Sequence, residues 1–315
     1  MNHIARIEVW DDATVNSQDA SVSTPADPIV GEVSGRPAHY GTRRGGNQPI
    51  EVGLVDPAWT RLAVAGVVPL LLAVSAALPT WMRLLVVVLL VPLVAQGWPA
   101  LMRSRHDQGA TAVVSLTGLS AAVVVALRHD FGGAGVIMAY SVLVAFVAQM
   151  LRRDGRDGLV ENLSTTVTGC LIVVSGAGWC ALEPGLADPA IVVPAALALF
   201  TGAVLTVLEV RATVLEALTM TLPALVAGVA GGALASVGFF GPSHVGTVEA
   251  TQSAAACLVV GFVAGVLMAA ANRVLWTHRW VPGGRAAVAS AIVPILALGA
   301  PVYAIARLMG AFVAG

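Results

Sequence analysis

The chain contains no lysine: all 17 basic residues are arginine. That excludes a Schiff-base lysine, a P-loop lysine and any lysine-based phosphate clamp. Charge of either sign is scarce, at 11% of the 315 residues, where soluble domains carry about 25%. No acidic residue follows Glu249, so the last stretch of chain has no carboxylate side chain with which to hold a cation. The three cysteines, Cys170, Cys180 and Cys257, are far apart in apolar surroundings and form no C-x-x-C pair. They read as small buried residues, and neither metal nor redox use is expected of them. The net charge of −1 gives no basis for binding nucleic acid. The first residues lack the basic-then-apolar pattern of a cleaved signal peptide.

What is abundant is apolar. Hydrophobic residues make up 57% of the chain, and mean hydropathy is +0.84. A water-soluble core does not bury that much apolar surface, so the expected class is an all-α, polytopic integral membrane protein. Residues 1–58 differ from the rest. They hold eight of the 18 acids, are rich in Gly, Pro, Ser and Asn, and show no sustained apolar periodicity. They read as a mostly disordered cytoplasmic tail, in which "HIARIEVWDD" is the one candidate strand or docking segment. Residues 59–315 form the membrane domain. Nine apolar runs follow Trp59, at 61–79, 84–101, 110–127, 133–151, 163–181, 189–209, 213–240, 252–276 and 286–310. A helix crosses the hydrocarbon core in about 20 residues. The seventh run carries Pro223 and "AGVAGGA", which predicts a kink or break there.

Arginine placement sets the expected orientation. With the N-terminus inside, Arg36, Arg43, Arg44, Arg61, Arg103, Arg105, Arg152, Arg153, Arg156, Arg211, Arg273, Arg279 and Arg285 fall on the cytoplasmic side. Arg83, Arg128 and Arg307 fall outside. This asymmetry predicts N-in, C-out and an odd number of spans. Trp59, Trp81, Trp98, Trp179, Trp276 and Trp280 sit at or near span ends, as an aromatic belt requires. Small residues recur in "VSAALP", "SGAGWC", "AGVAGGALAS" and "GFVAGVLMAAA", which predicts close helix–helix approach in lipid.

Three polar stretches interrupt the apolar runs. "TVLEVRATVLEAL" (206–218) places Glu209, Arg211 and Glu216 between two spans. Two readings stay open: a turn at the inner interface, or a cluster that contacts a substrate or ion. "LRRDGRDGLVEN" (151–162) is either a solvated topology-fixing loop or a basic patch in which Arg152, Arg153 and Arg156 recruit anionic lipid. "NRVLWTHRWVPGGR" (272–285) combines Arg273, His278, Arg279 and Arg285 with two tryptophans and a Pro-Gly-Gly turn. It suits either an interfacial anchor or an anionic headgroup surface. His129 and His244 have no partners at metal-ligand spacing.

The middle of the chain, "YSVLVAFVAQMLRRDGRDGLVENLSTTVTGCLIV", resembles bacterial phosphatidate cytidylyltransferases, also called CDP-diacylglycerol synthases. So does "VVGFVAGVLMAAANRVLWTHRWVPGGRAAVASAIVPILALGAPVYAI". There His278-Arg279 stands where the family has Lys-Arg, Pro282-Gly283-Gly284 stands for its glycine loop, and Ala300-Pro301-Val302 for its last motif. The resemblance implies a nine-helix bundle in the bacterial plasma membrane. It also implies a reaction that needs carboxylates to hold divalent metal against CTP and phosphatidate. The chain departs from that pattern. The family's Ser-Asp-Thr segment is replaced by "LTVLEVRAT", with Glu209 near the expected aspartate, and its Asp-rich C-terminal signature has no acidic counterpart. The expectation is therefore a non-catalytic relative without cofactor, which binds anionic membrane lipids or meets a membrane-protein partner or a second copy of itself. The alternatives are a small-solute permease and an active transferase with a site rebuilt around Glu209 and Glu216.

Overall fold

The computed structural model describes residues 54–55, 58–76, 78–104, 107–151, 158–182, 188–208, 211–238, 247–276 and 281–313. The expectations for "HIARIEVWDD" and for most of the tail lie outside these residues.

Within lipid, a backbone has no water to bond, so an apolar run of span length closes its hydrogen bonds internally as a helix. Every one of the nine runs does so. The helices are α1 (Ala58–Ala76), α2 (Thr80–Leu101), α3 (Asp107–Arg128), α4 (Gly132–Met150), α5 (Leu159–Gly176) with a short continuation α6 (Gly178–Ala181), α7 (Asp188–Leu205), α8 (Ala212–Ser236), α9 (Thr247–Trp276), and α10 (Gly283–Ala297) followed by α11 (Gly299–Val313). By length and composition, eight stretches are able to cross a membrane, and the apolar part of α7, Ile191–Leu205, is shorter. The protein is an all-α polytopic membrane protein. Leu54–Val55 (β1) pairs antiparallel with Val281–Pro282 (β2), which ties the chain just before α1 to the turn that enters α10.

Leu, Val and Ala dominate the core, with Val87, Val91, Val94, Val114, Leu199 and Leu296 fully buried. Large apolar side chains cover the outside. α4 is the most exposed of the spanning helices, with Tyr140, Leu143, Phe146 and Val147 all facing outward.

α8 and α9 form the tightest pair, an antiparallel hairpin closed by glycine. A Cβ at Gly261 would meet the Pro223 carbonyl, and one at Gly265 would meet the Thr219 carbonyl. Pro223 has no N–H to offer the carbonyl four residues before it, which is that of Thr219. α8 is nonetheless continuous from Ala212 to Ser236, so of the expected kink or break the break is absent. Its glycines serve contact with α9: Gly228 faces Leu258, and Gly231 faces Cys257.

The break occurs instead in the last span, at Leu298 between α10 and α11. Pro301 leaves the Ala297 carbonyl without its helical donor. The Ser175 hydroxyl donates to that carbonyl at 2.7 Å and accepts the Ala300 N–H at 3.2 Å. The Trp179 indole N–H donates to the Ile295 carbonyl at 3.0 Å. A second interruption, at Ala177 between α5 and α6, lies against the first. There Gly178 meets the backbone of Gly299 and Ala300. Side chains of one broken helix thus satisfy the backbone of the other, as non-helical backbone in lipid requires.

Candidate functional site

The helices bring arginines to one end of the bundle. The Trp98 indole, in the last turn of α2, donates to the Thr165 carbonyl near the start of α5 at 2.9 Å. The Ser104 hydroxyl donates to Asn162 Oδ1 at 3.1 Å. Gly97 lies against the Arg285 carbonyl. These contacts place the start of α1, the end of α2, the start of α5 and the start of α10 together, with β1 and β2. Arg61, Arg103 and Arg285 stand at this end. Arg103 and Arg285 are exposed, whereas Arg61 is only 5% exposed.

Arg61 sits in the first turn of α1, two residues after Trp59, which is 74% exposed as an interfacial indole would be. Its Nε donates to the Ser290 hydroxyl at 3.3 Å. The Ser290 hydroxyl in turn donates to the Ala287 carbonyl at 2.7 Å, so its lone pair is what it offers the guanidinium. Arg61 and Ser290 line a cleft together with Ala65 of α1, Ala203 of α7, and Met268 and Asn272 of α9. The space inside it that the centre of a water molecule can occupy is only about 10 Å³. Its lining is polar at Arg61, Asn272 and Ser290, and the rest is alanine, methionine and proline. An ionised side chain buried within a span is costly unless it is partnered or used, so it marks a functional candidate.

A second buried arginine, Arg83, lies in the first turn of α2 toward the opposite end and is fully buried. It is on the side where α2 packs on α6, whose Trp179 and Cys180 are also buried. At that end the Tyr303 hydroxyl donates to Asp130 Oδ1 at 3.5 Å and accepts from Arg307 Nε at 3.0 Å. The Phe131 and Tyr303 rings lie 5.5 Å apart. These contacts fasten the α3–α4 turn to α11.

Of the residues singled out by sequence, Arg211 is exposed at the N-cap of α8, and Glu216 is half-buried in that helix's second turn. The chain turns at Thr206–Leu208 before α8 begins. Glu209 lies outside the described residues, as do Arg152, Arg153, Arg156, His278 and Arg279. Arg273 belongs to the last turn of α9, and Arg285 to the first turn of α10. Among the described residues, no group of three His, Cys, Asp or Glu is placed to share an ion.

Sequence reasoning missed the Arg61 cleft. It counted Arg61 as a cytoplasmic-side charge at the start of the first run, whereas the residue is buried in the first turn of α1. Arg83, read as an outer-loop charge, is likewise buried inside α2. The available signal was a hydroxyl in "RAAVASAIVP": Ser290 is the one polar side chain between Arg285 and Pro294.

The fold defines the class, an all-α polytopic membrane protein. No family model, no curated protein and no solved structure matches the chain.

Proposed function

We propose that this protein is a non-catalytic membrane protein of the bacterial plasma membrane that engages anionic lipid headgroups through its arginine-bearing end. On this reading that end faces the cytoplasm, and the resemblance to phosphatidate cytidylyltransferases is one of outline without the reaction. The observation that carries it is the convergence of the starts of α1 and α10 and the end of α2 at one end of the bundle, where Arg61 is buried beside Ser290. The exposed arginines at 103 and 285 lie at the same end. A guanidinium is the side chain best suited to phosphate, because its planar fork bonds two oxygens at once. Basic groups close to an anionic leaflet contribute about 1 kcal/mol each. The absence of any acidic residue after Glu249 supports the non-catalytic part of the reading, since nucleotidyl transfer draws its charge stabilisation from metal held by carboxylates.

The test is lipid analysis of purified protein. The anionic lipid fraction that co-purifies is expected to exceed that of the membrane from which the protein was extracted. Replacing Arg103, Arg211 and Arg285 together by glutamine is expected to weaken binding to anionic vesicles by about 3 kcal/mol at low salt, and less at high salt. Supplied with magnesium, CTP and phosphatidate, the protein is expected to release no pyrophosphate. Turnover in that assay, or lipid content equal to that of the bulk membrane, removes the proposal.

A further inference from the structure

We infer that the outer face of α4 is a homodimer interface, on which a second copy of this chain packs α4 against α4 about a two-fold axis normal to the membrane. The inference rests on the membrane class of the fold and is independent of the headgroup reading. It starts from what α4 turns inward and what it turns outward. The helix buries Ala134, Ser141, Ala145 and Gln149, all of them small or polar. Its most exposed large side chains are Val136, Tyr140, Leu143 and Val147, which recur at spacings of four, three and four. That is the heptad spacing of a coiled-coil seam, whose side chains pack as knobs into holes. Helices in membranes use the same left-handed crossing, at about 20°.

Tyr140 marks this surface as one that meets protein. It stands eight residues after Gly132 and ten before Met150, so its Cα lies about 12 Å from the nearer end of the helix. Tyrosine is ordinarily found at the two membrane interfaces, where its hydroxyl reaches water or headgroups. Here it is 65% exposed on a face that is otherwise apolar. Its hydroxyl has no hydrogen-bond partner among the described residues. A hydroxyl left unbonded in hydrocarbon is costly, so a polar group facing it from outside the chain stabilises the surface.

Symmetry and chemistry together select a second copy as the partner. Two copies inserted in the same orientation run their α4 helices parallel. A two-fold along the membrane normal then sets each seam residue at the depth of its own counterpart. A tyrosine hydroxyl both donates and accepts, so two Tyr140 side chains satisfy each other. α4 carries no charged residue, so nothing on this face repels its own copy. Room for the counterpart's side chains lies beside the seam: a Cβ at Gly135 meets nothing within 4 Å, and Ala139 is exposed. A single polar residue in an otherwise apolar seam also fixes register and the number of strands.

Oxidative crosslinking in native membranes tests this, in full-length protein whose Cys170, Cys180 and Cys257 are replaced by alanine. Val136→Cys, Leu143→Cys and Val147→Cys each put a thiol on the seam. Each is expected to give a disulfide-linked product of twice the 32.0 kDa chain mass. Val144→Cys, off the seam on the same helix, and Val229→Cys, exposed on α8, are expected to give little or none. Equal yields on and off the seam reflect collision and overturn the interface. An adduct with a different protein, in place of the doubled mass, overturns the second copy as occupant. Single-molecule photobleaching of the chain with its native cysteines, carrying one fused fluorophore in lipid vesicles, is independent of those substitutions. Two bleaching steps are expected, and one step at every protein density overturns the dimer. Tyr140→Phe is expected to raise the dimer dissociation constant about threefold, the weight of an average interhelical hydrogen bond. Dimers of equal strength with and without the hydroxyl overturn the role given to Tyr140.

Discussion

Trp179→Ala is expected to lower the stability of the folded bundle by about 3–5 kcal/mol, the range for removing a large buried aromatic. The side chain is fully enclosed, and the indole N–H is the donor for the Ile295 carbonyl beside the α10–α11 break. Truncation therefore leaves a cavity and strips a carbonyl of its partner in a region without water. Trp179→Phe separates the two effects. It keeps most of the ring and loses the donor, and its expected cost is about 1 kcal/mol, the scale of an interhelical hydrogen bond in a membrane protein. Denaturant unfolding in detergent micelles, followed by circular dichroism, measures both. Equal losses for the alanine and phenylalanine variants would mean that the hydrogen bond, rather than packing, dominates at this position.

Gly178→Val is expected to have an effect of the same order through backbone contact. A Cβ at Gly178 would overlap the carbonyl group of Gly299 and the nitrogen of Ala300. Both are main-chain atoms, which cannot rotate aside as a flexible side chain would. The two interrupted helices must separate, and separation draws Ser175 and Trp179 away from Ala297 and Ile295. Overpacking alone costs about 1–3 kcal/mol, and the lost hydrogen bonds add to it. Gly135→Ala is the control, because a Cβ there meets nothing within 4 Å. It is expected to leave unfolding unchanged or slightly harder, since alanine restricts the unfolded chain more than glycine does. Comparable destabilisation by both substitutions would show that the glycine contact carries no special cost.

These two sites also show what hydropathy makes legible and what it leaves hidden. Each helical span was visible as an apolar run, because a membrane-crossing segment must be apolar over its full length whatever it packs against. The location of the break was not visible. Pro223 and its glycines looked like the weak point, yet those glycines answer to α9, which passes close by. The real interruption depends on Ser175, which bonds the Ala297 carbonyl from 122 residues earlier in the chain. Local composition carries no record of such a partner. The Arg61 cleft was hidden for the same reason, since Arg61 and Ser290 are 229 residues apart. Arginine counts assign Arg61 to one side of a span boundary by parity, but no count distinguishes a guanidinium at the surface from one folded into a bundle. The charged stretch around Arg211 was visible as polar, and the turn before α8 accords with a reversal of the chain there.

The most direct measurement is side-specific labelling with a membrane-impermeant maleimide, in a background where Cys170, Cys180 and Cys257 are replaced by alanine. Arg285→Cys and Asp130→Cys report opposite ends of the bundle. With the arginine-bearing end in the cytoplasm, Asp130→Cys reacts in intact cells, and Arg285→Cys reacts only after the membrane is opened. Labelling of Arg285→Cys in intact cells, with Asp130→Cys protected, would place the cleft on the outer leaflet and contradict the account.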